Sequence, residues 1–267
     1  MSRIAETMNA LKQKRTKALV PFLTAGDPDL ATTEALIHVL VESGADIIEL
    51  GIPFSDPMAD GPTIQLASER ALAAGTTLKG VLELVARVRR RTNVPIVLMG
   101  YYNPVLCYGT TAFAADAAAA GVDGVLLVDL PPEEAQELQP HLRRNGLDLI
   151  TLLAPTTPPE RMRALAGAAE GYLYYVSMTG VTGSQQVNPA AIADAVRDIQ
   201  AHCQVPVAVG FGITTPVDAK AVAGFADAVV VGSALVNIIA AAGRSPELLN
   251  EVRAFMTALS EGVRTAE

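Results

Sequence analysis

The stretch "IELGIPFSDPMADGPTIQ", residues 47–64, brings the carboxylates of Glu49, Asp56 and Asp60 close together along the chain. Glu49 is the unusual one. It stands within Ile47-Ile48-Glu49-Leu50-Gly51, a run with the unbroken apolar character of a strand buried on both faces. A carboxylate rarely sits there unless it is paired or takes part in chemistry. Ile47, Glu49 and Gly51 alternate and so share one face of that strand. Partly removed from water, Glu49 would have a raised pKa and be able both to give and to take a proton. A structural glutamate held by a hydroxyl or a backbone amide is the alternative. The two aspartates are ambiguous on local grounds. Ser55-Asp56-Pro57 forms a good turn in which Asp56 can bond its own backbone, and Asp60-Gly61-Pro62 reads as a helix entry with Asp60 as N-cap. Pro53, Pro57 and Pro62 hold this loop in a restricted shape.

A second group of residues suits an anion. "TGVTGS" (179–184), "GFGI" (210–213) and "GSALV" (232–236) follow three successive apolar runs. Glycine lets backbone amides approach an anion closely, and a helix opening at Ser233 would offer its positive end. Three such segments in this order point to a phosphate site that needs neither lysine nor arginine.

The elements that must position these groups follow a regular rhythm. Short apolar runs occur at 19–23, 47–50, 95–99, 125–128, 149–153, 172–176, 207–209 and 228–231. Helical spacing of apolar residues falls between them, at 33–42, 78–90, 133–144, 159–169, 190–201 and 247–259. The alanine-rich 112–120 reads as a tightly packed helix. Strand followed by helix, about eight times, predicts an α/β chain folded as one (β/α)₈ TIM barrel over 1–267. An open doubly wound sheet would want a Gly-x-Gly-x-x-Gly turn after its first strand, where Leu23-Thr24-Ala25-Gly26-Asp27-Pro28 stands instead. In a barrel, chemistry gathers at the carboxyl ends of strands, here Thr24, Glu49, Tyr101-Tyr102-Asn103, Asp129, Ser177, Gly210 and Gly232.

Several chemistries drop out. Schiff-base and pyridoxal phosphate enzymes need a lysine at a strand end, and Lys12, Lys14, Lys17, Lys79 and Lys220 follow none. His38, His141 and His202 lie in helical stretches, and Cys107 and Cys203 are far apart, so no metal site is expected. With 20 basic against 28 acidic residues in a chain of 267, a nucleic-acid or anionic-membrane partner is not expected either. No apolar run approaches the roughly 18 residues of a membrane span. The opening Met1-Ser2-Arg3-Ile4-Ala5-Glu6 lacks the apolar core of a signal peptide, so a soluble cytoplasmic protein is expected.

The segments "PFLTAGDP" (21–28), "IELGIPFSDPMADGPTIQ" (47–64), "LMGYYNP" (98–104), "GVDGVLLVDLP" (121–131), "GVTG" (180–183), "GFGI" and "GSALV" together resemble the tryptophan synthase α-subunit family over essentially the whole chain. The resemblance implies a barrel with an extra N-terminal helix and a short helix after the eighth strand. It implies cleavage of indole-3-glycerol phosphate to indole and glyceraldehyde 3-phosphate, with Glu49 and Asp60 catalytic. Phosphate-binding positions fall on Gly183, Phe211, Gly212, Gly232 and Ser233. The indole pocket falls on Phe22, Met99, Leu126, Leu153 and Tyr174. Pro53, Asp56 and Thr182 fall where the family communicates between subunits, with Thr182 expected to close on Asp60. No cofactor is expected in this chain; pyridoxal phosphate is expected in a β subunit that completes an α₂β₂ assembly. The alternative is a standalone lyase that releases free indole. The chain departs from the family pattern at Ser184-Gln185-Gln186, which stand where an alanine and then a charged residue are expected.

Overall fold

The computed structural model describes residues 2–176, 189–210 and 212–266, without the side chains of 189–191. Among them, nine parallel strands form the wall of a (β/α)₈ barrel. In chain order they are β1 (Ala18–Thr24), β2 (Ile48–Gly51), β3 (Ile96–Gly100), β4 (Gly124–Leu127), β5 (Asp148–Leu149), β6 (Thr151–Leu153), β7 (Leu173–Val176), β8 (Val207–Gly210) and β9 (Ala228–Val231). Neighbours in the wall run β5-β4-β3-β2-β1-β9-β8-β7-β6. The two ends of that order, β5 and β6, are joined in the chain by Ile150 alone.

The run predicted at 149–153 as one strand is therefore divided. Its first part pairs with β4 and its second with β7, and the ladder changes partner at Ile150, whose N–H donates to the Val125 carbonyl at 2.8 Å. The helix predicted over 133–144 is also divided, into a 3₁₀ turn at Ala135–Glu137 and a helix at Gln139–Arg144. Pro140 explains the break, because it has no N–H to continue the helical ladder and is suited to a first turn.

Side chains alternate across the wall and build two cores. One face of each strand packs under the surrounding helices, through residues such as Leu50, Leu98, Val125 and Val209. The other face fills the barrel interior with Val20, Ile47, Val97, Leu126, Tyr172, Tyr174, Ala208 and Val230. The N-terminal helix Arg3–Gln13 presents Ile4, Met8 and Leu11 at helical spacing and buries them in this interior core. It is tied down by Asp123, which is 4% exposed and accepts from Arg3 Nη1 (2.7 Å), Arg89 Nη2 (2.5 Å) and the Ile96 N–H (2.8 Å). The amino-terminal end of the barrel is thus plugged, and chemistry is left to the carboxyl end.

Candidate active site

Register places Glu49 on the inner face of β2, opposite Phe22 of β1 and Val97 of β3. Its side chain is 0% exposed. Tyr172, one residue before β7, donates its hydroxyl to Glu49 Oε1 at 2.6 Å, while Oε2 has no partner among the described residues. Burial pushes the Glu49 carboxyl up to about 7, against the opposing effect of the Tyr172 hydrogen bond. One oxygen is therefore held in place and the other is bare. At neutral pH such a group exchanges a proton readily in either direction.

Asp60 lies on the loop after β2. The N-cap of the next helix, Pro62–Ala73, is Gly61 rather than Asp60, so the capping role expected for this aspartate is not the one it plays. Asp60 Oδ2 instead accepts from the Tyr101 hydroxyl at 3.0 Å, and burial raises its pKa while that bond opposes the rise. The helix behind the loop is anchored by Arg70, whose Nε and Nη2 donate to the two oxygens of buried Asp27 at 2.8 and 2.7 Å. Such a fork-to-carboxylate pair fixes orientation as well as distance.

Asp60, Phe22, Thr24, Ile64, Met99 and Tyr101 line one cleft. Gly51 also lines it, and a Cβ there would stand 2.7 Å from Phe22 Cζ, so glycine is what lets that ring cross the strand. The buried hydroxyl of Thr24 has no partner among the described residues and is available to a ligand. Free space in the cleft is only ≈ 20 Å³, about one water, so an indole-sized group must displace its lining side chains. A larger hollow of ≈ 500 Å³ lies at the plugged end, between Lys12, Arg15 and Gln204. Its one carboxylate, Asp227, is taken up by Lys17 and Gln200, so the hollow lacks the acid–base groups of the cleft. Among the described residues no cluster of His, Cys, Asp and Glu could hold a metal ion, and no helix is long and apolar enough to cross a membrane.

Residues 8–264 match the family model of the tryptophan synthase alpha chain. The chain belongs to that family. It is 60% identical over 263 residues to the tryptophan synthase alpha chain of Geobacter sulfurreducens, covering 98% of this chain and 99% of the relative. Identity to the alpha chain of Laribacter hongkongensis is 54%, over 100% and 99% of the two chains. The crystal structure of tryptophan synthase subunit alpha from Legionella pneumophila superposes with a TM-score of 0.92 at 44% identity, covering 98% of each chain. As a tryptophan synthase alpha chain, it is a lyase that cleaves indole-3-glycerol phosphate in tryptophan biosynthesis, and membership implies a beta-chain partner.

Against the family's expected positions, Phe22, Met99, Leu126 and Tyr174 all face the barrel interior or the cleft. Leu153 does not. It is buried in the outer core, and the pleat gives the interior position on β6 to Leu152. Pro53 is buried, whereas Asp56 is exposed and accepts from the Ser55 hydroxyl at 2.5 Å. Gly232 is the N-cap of the helix Ser233–Ala242, whose first turn carries no side-chain cap, and a Cβ at Gly212 would meet nothing within 4 Å. Gly183, Phe211 and Thr182 lie outside the described residues.

Two tyrosines had no role in the sequence reading. Tyr101 is legible only as a strand end, and Tyr172 only as sharing a strand face with Tyr174. Replacing Tyr172 by phenylalanine should show what its hydroxyl does. The bond favours the charged form of Glu49, so its loss should move the limb of the kcat/KM profile that titrates near pH 7 to higher pH. Turnover should fall about tenfold, the worth of one hydrogen bond to a charged group. An unmoved limb would mean that Tyr172 does not act on Glu49.

Proposed function

We propose that Glu49 is the proton shuttle of the cleavage and Asp60 the carboxylate that balances positive charge at the indole ring nitrogen. The wholly buried Glu49, with Oε1 held and Oε2 without a partner among the described residues, carries this reading. Glu49 gives its proton to ring C3, which produces an indolenine whose N–H carries positive charge and is met by the Asp60 carboxylate. It then takes the proton of the adjacent side-chain hydroxyl. That carbon becomes the aldehyde of glyceraldehyde 3-phosphate, and the electrons of the C3–carbon bond return to the ring, which cancels the charge at nitrogen and leaves neutral indole. No Schiff base to a lysine and no metal is needed for this sequence, and the pKa of about 7 suits Glu49 to both transfers. Asp60 acts electrostatically, its charge strengthened by partial burial.

The phosphate is read as held by backbone amides at Gly183, Phe211, Gly212 and Gly232 and by Ser233, at the open end of the helix Ser233–Ala242. Ser233→Asp should separate binding from folding. A carboxylate at a helix start is tolerated or mildly stabilising, but here it would repel the anion. Affinity for glycerol 3-phosphate should fall at least about tenfold with no loss of thermal stability, measured by calorimetry. Unchanged affinity would place the phosphate elsewhere.

The barrel is read as one catalytic unit in an α₂β₂ assembly, with pyridoxal phosphate in the β subunit and none in this chain. Asp56 and Met58, the latter 84% exposed, are among the residues of the loop after β2 open to that partner. Thr182 is expected to meet Asp60 on closure. The test is to incubate the purified chain with indole-3-glycerol phosphate, with and without a β chain, and measure indole. Release by the chain alone at the full rate would favour a standalone lyase. No indole in either arm would overturn the assignment of Glu49 and Asp60 together.

A further inference from the structure

We propose that Tyr101 is a positioning residue for the cleavage, whose hydroxyl fixes the Asp60 carboxylate and registers the loop 53–61 against the end of β3. This rests on the reading of Asp60 as a catalytic group.

Tyr101 follows β3 directly and is 3% exposed. Its backbone belongs to the rigid wall, since the flanking Gly100 carbonyl accepts from the Val128 N–H at 3.0 Å. A Cβ on Gly100 would stand 3.2 Å from Ile52 Cβ, so the start of the loop lies close against this strand end. The Tyr101 ring lies beside Phe54, with centroids 5.3 Å apart. Its hydroxyl serves two consecutive loop residues. It accepts from the Ala59 N–H at 3.0 Å and donates to Asp60 Oδ2 at 3.0 Å.

The other bonds that Asp60 makes hold its backbone only. The Asp60 N–H donates to the Pro57 carbonyl at 3.1 Å, and Gln65 Nε2 donates to the Asp60 carbonyl at 2.9 Å. Among the described residues, Tyr101 is the partner of the carboxylate itself. Without it, that side chain would be free to rotate about its two torsions. With it, Oδ2 is committed, and among the described residues no hydrogen bond to Oδ1 competes with a ligand. A carboxylate that must meet charge developing on a ring gains most from being aimed before the ligand arrives. Burial and the charge of Asp60 also push the Tyr101 phenol well above its usual range, so it remains a donor at any working pH.

The competing account is that Tyr101 only packs the loop. Tyr101→Phe separates the two, since it keeps the ring against Phe54 and removes only the hydroxyl. Turnover of indole-3-glycerol phosphate should fall about tenfold, with affinity for glycerol 3-phosphate unchanged within about twofold. The acidic limb of the kcat profile should move to higher pH, because the lost bond favoured the Asp60 anion. Among the described residues, Tyr101 and Tyr174 are the phenols that the Asp60 charge helps push far above neutrality, so neither phenol supplies that limb. In an Asp60→Asn background the same change should cost less than about twofold, the mark of a residue acting through its partner. A tenfold loss that persists in the Asp60→Asn background, or a loss confined to KM with an unmoved limb, would overturn the positioning role alone. Native turnover in Asp60→Asn itself would remove Asp60 from the reaction, and the role of Tyr101 with it.

Discussion

Glu49→Gln should lower turnover of indole-3-glycerol phosphate by at least about 100-fold, the usual contribution of a positioned acid or base. Glutamine has the shape of glutamate, and its carbonyl can still accept from the Tyr172 hydroxyl that holds Oε1 at 2.6 Å. What it lacks is a proton to exchange. The two transfers assigned to this side chain occur at ring C3 and at the neighbouring hydroxyl, and a neutral amide can make neither. Glycerol 3-phosphate should bind the variant normally, because the proposed phosphate positions Gly212 and Gly232 follow β8 and β9, whereas Glu49 stands on β2. Indole release under single-turnover conditions is the measurement. Near-normal release would show that the buried carboxylate is structural and that the proton comes from another group.

The same residue shows why so much of the barrel and only part of its site could be read beforehand. Strand positions were legible because strands such as β1, β2, β4 and β9 are buried on both faces and appear as short apolar runs. Register was not, and Leu153 shows the cost. A shift of one residue along a pleated strand moves a side chain from the interior to the outer core, and Leu152 and Leu153 look alike in sequence. The divided fifth strand was also hidden, since its change of partner depends on β4 and β7 rather than on 149–153.

Glu49 was legible because a carboxylate in an apolar strand is costly and asks for a reason. Its partner was not, because Tyr172 lies 123 positions away and a strand tyrosine needs no explanation beyond packing. Asp56 and Asp60 had equivalent local turn chemistry. The resemblance to the family separated them, and in the fold the difference is a hydroxyl 41 positions along the chain, Tyr101, which reaches Asp60 and leaves Asp56 in solvent.

A carboxylate kept in an apolar interior should also weaken the fold, and the pH dependence of that cost follows from its pKa. Burial raises Glu49 from the ordinary 4.5 to about 7 in the folded chain. Below pH 4.5 the group is protonated in both the folded and unfolded states and has no differential effect. Between pH 4.5 and 7 the unfolded chain ionises while the folded chain keeps its proton, so stability is lost progressively as pH rises. Above pH 7 both states are ionised and the full penalty remains, about 3 kcal/mol at 1.36 kcal/mol per pKa unit. Glu49→Gln removes the charge. It should therefore be more stable than the native chain at pH 8, by up to about 3 kcal/mol, with the advantage shrinking to nothing near pH 4. The gain will fall short of that limit by whatever the buried amide N–H groups lose for want of acceptors. Urea unfolding of both chains at pH 4, 6 and 8 gives the difference directly, and comparing the two at each pH cancels the titration of every other carboxylate. A difference that does not change with pH would mean that Glu49 titrates near its ordinary value, and the proton shuttle would lose its basis. A gain that grows with pH while turnover collapses would show that the charge which weakens the barrel is the one that carries the chemistry.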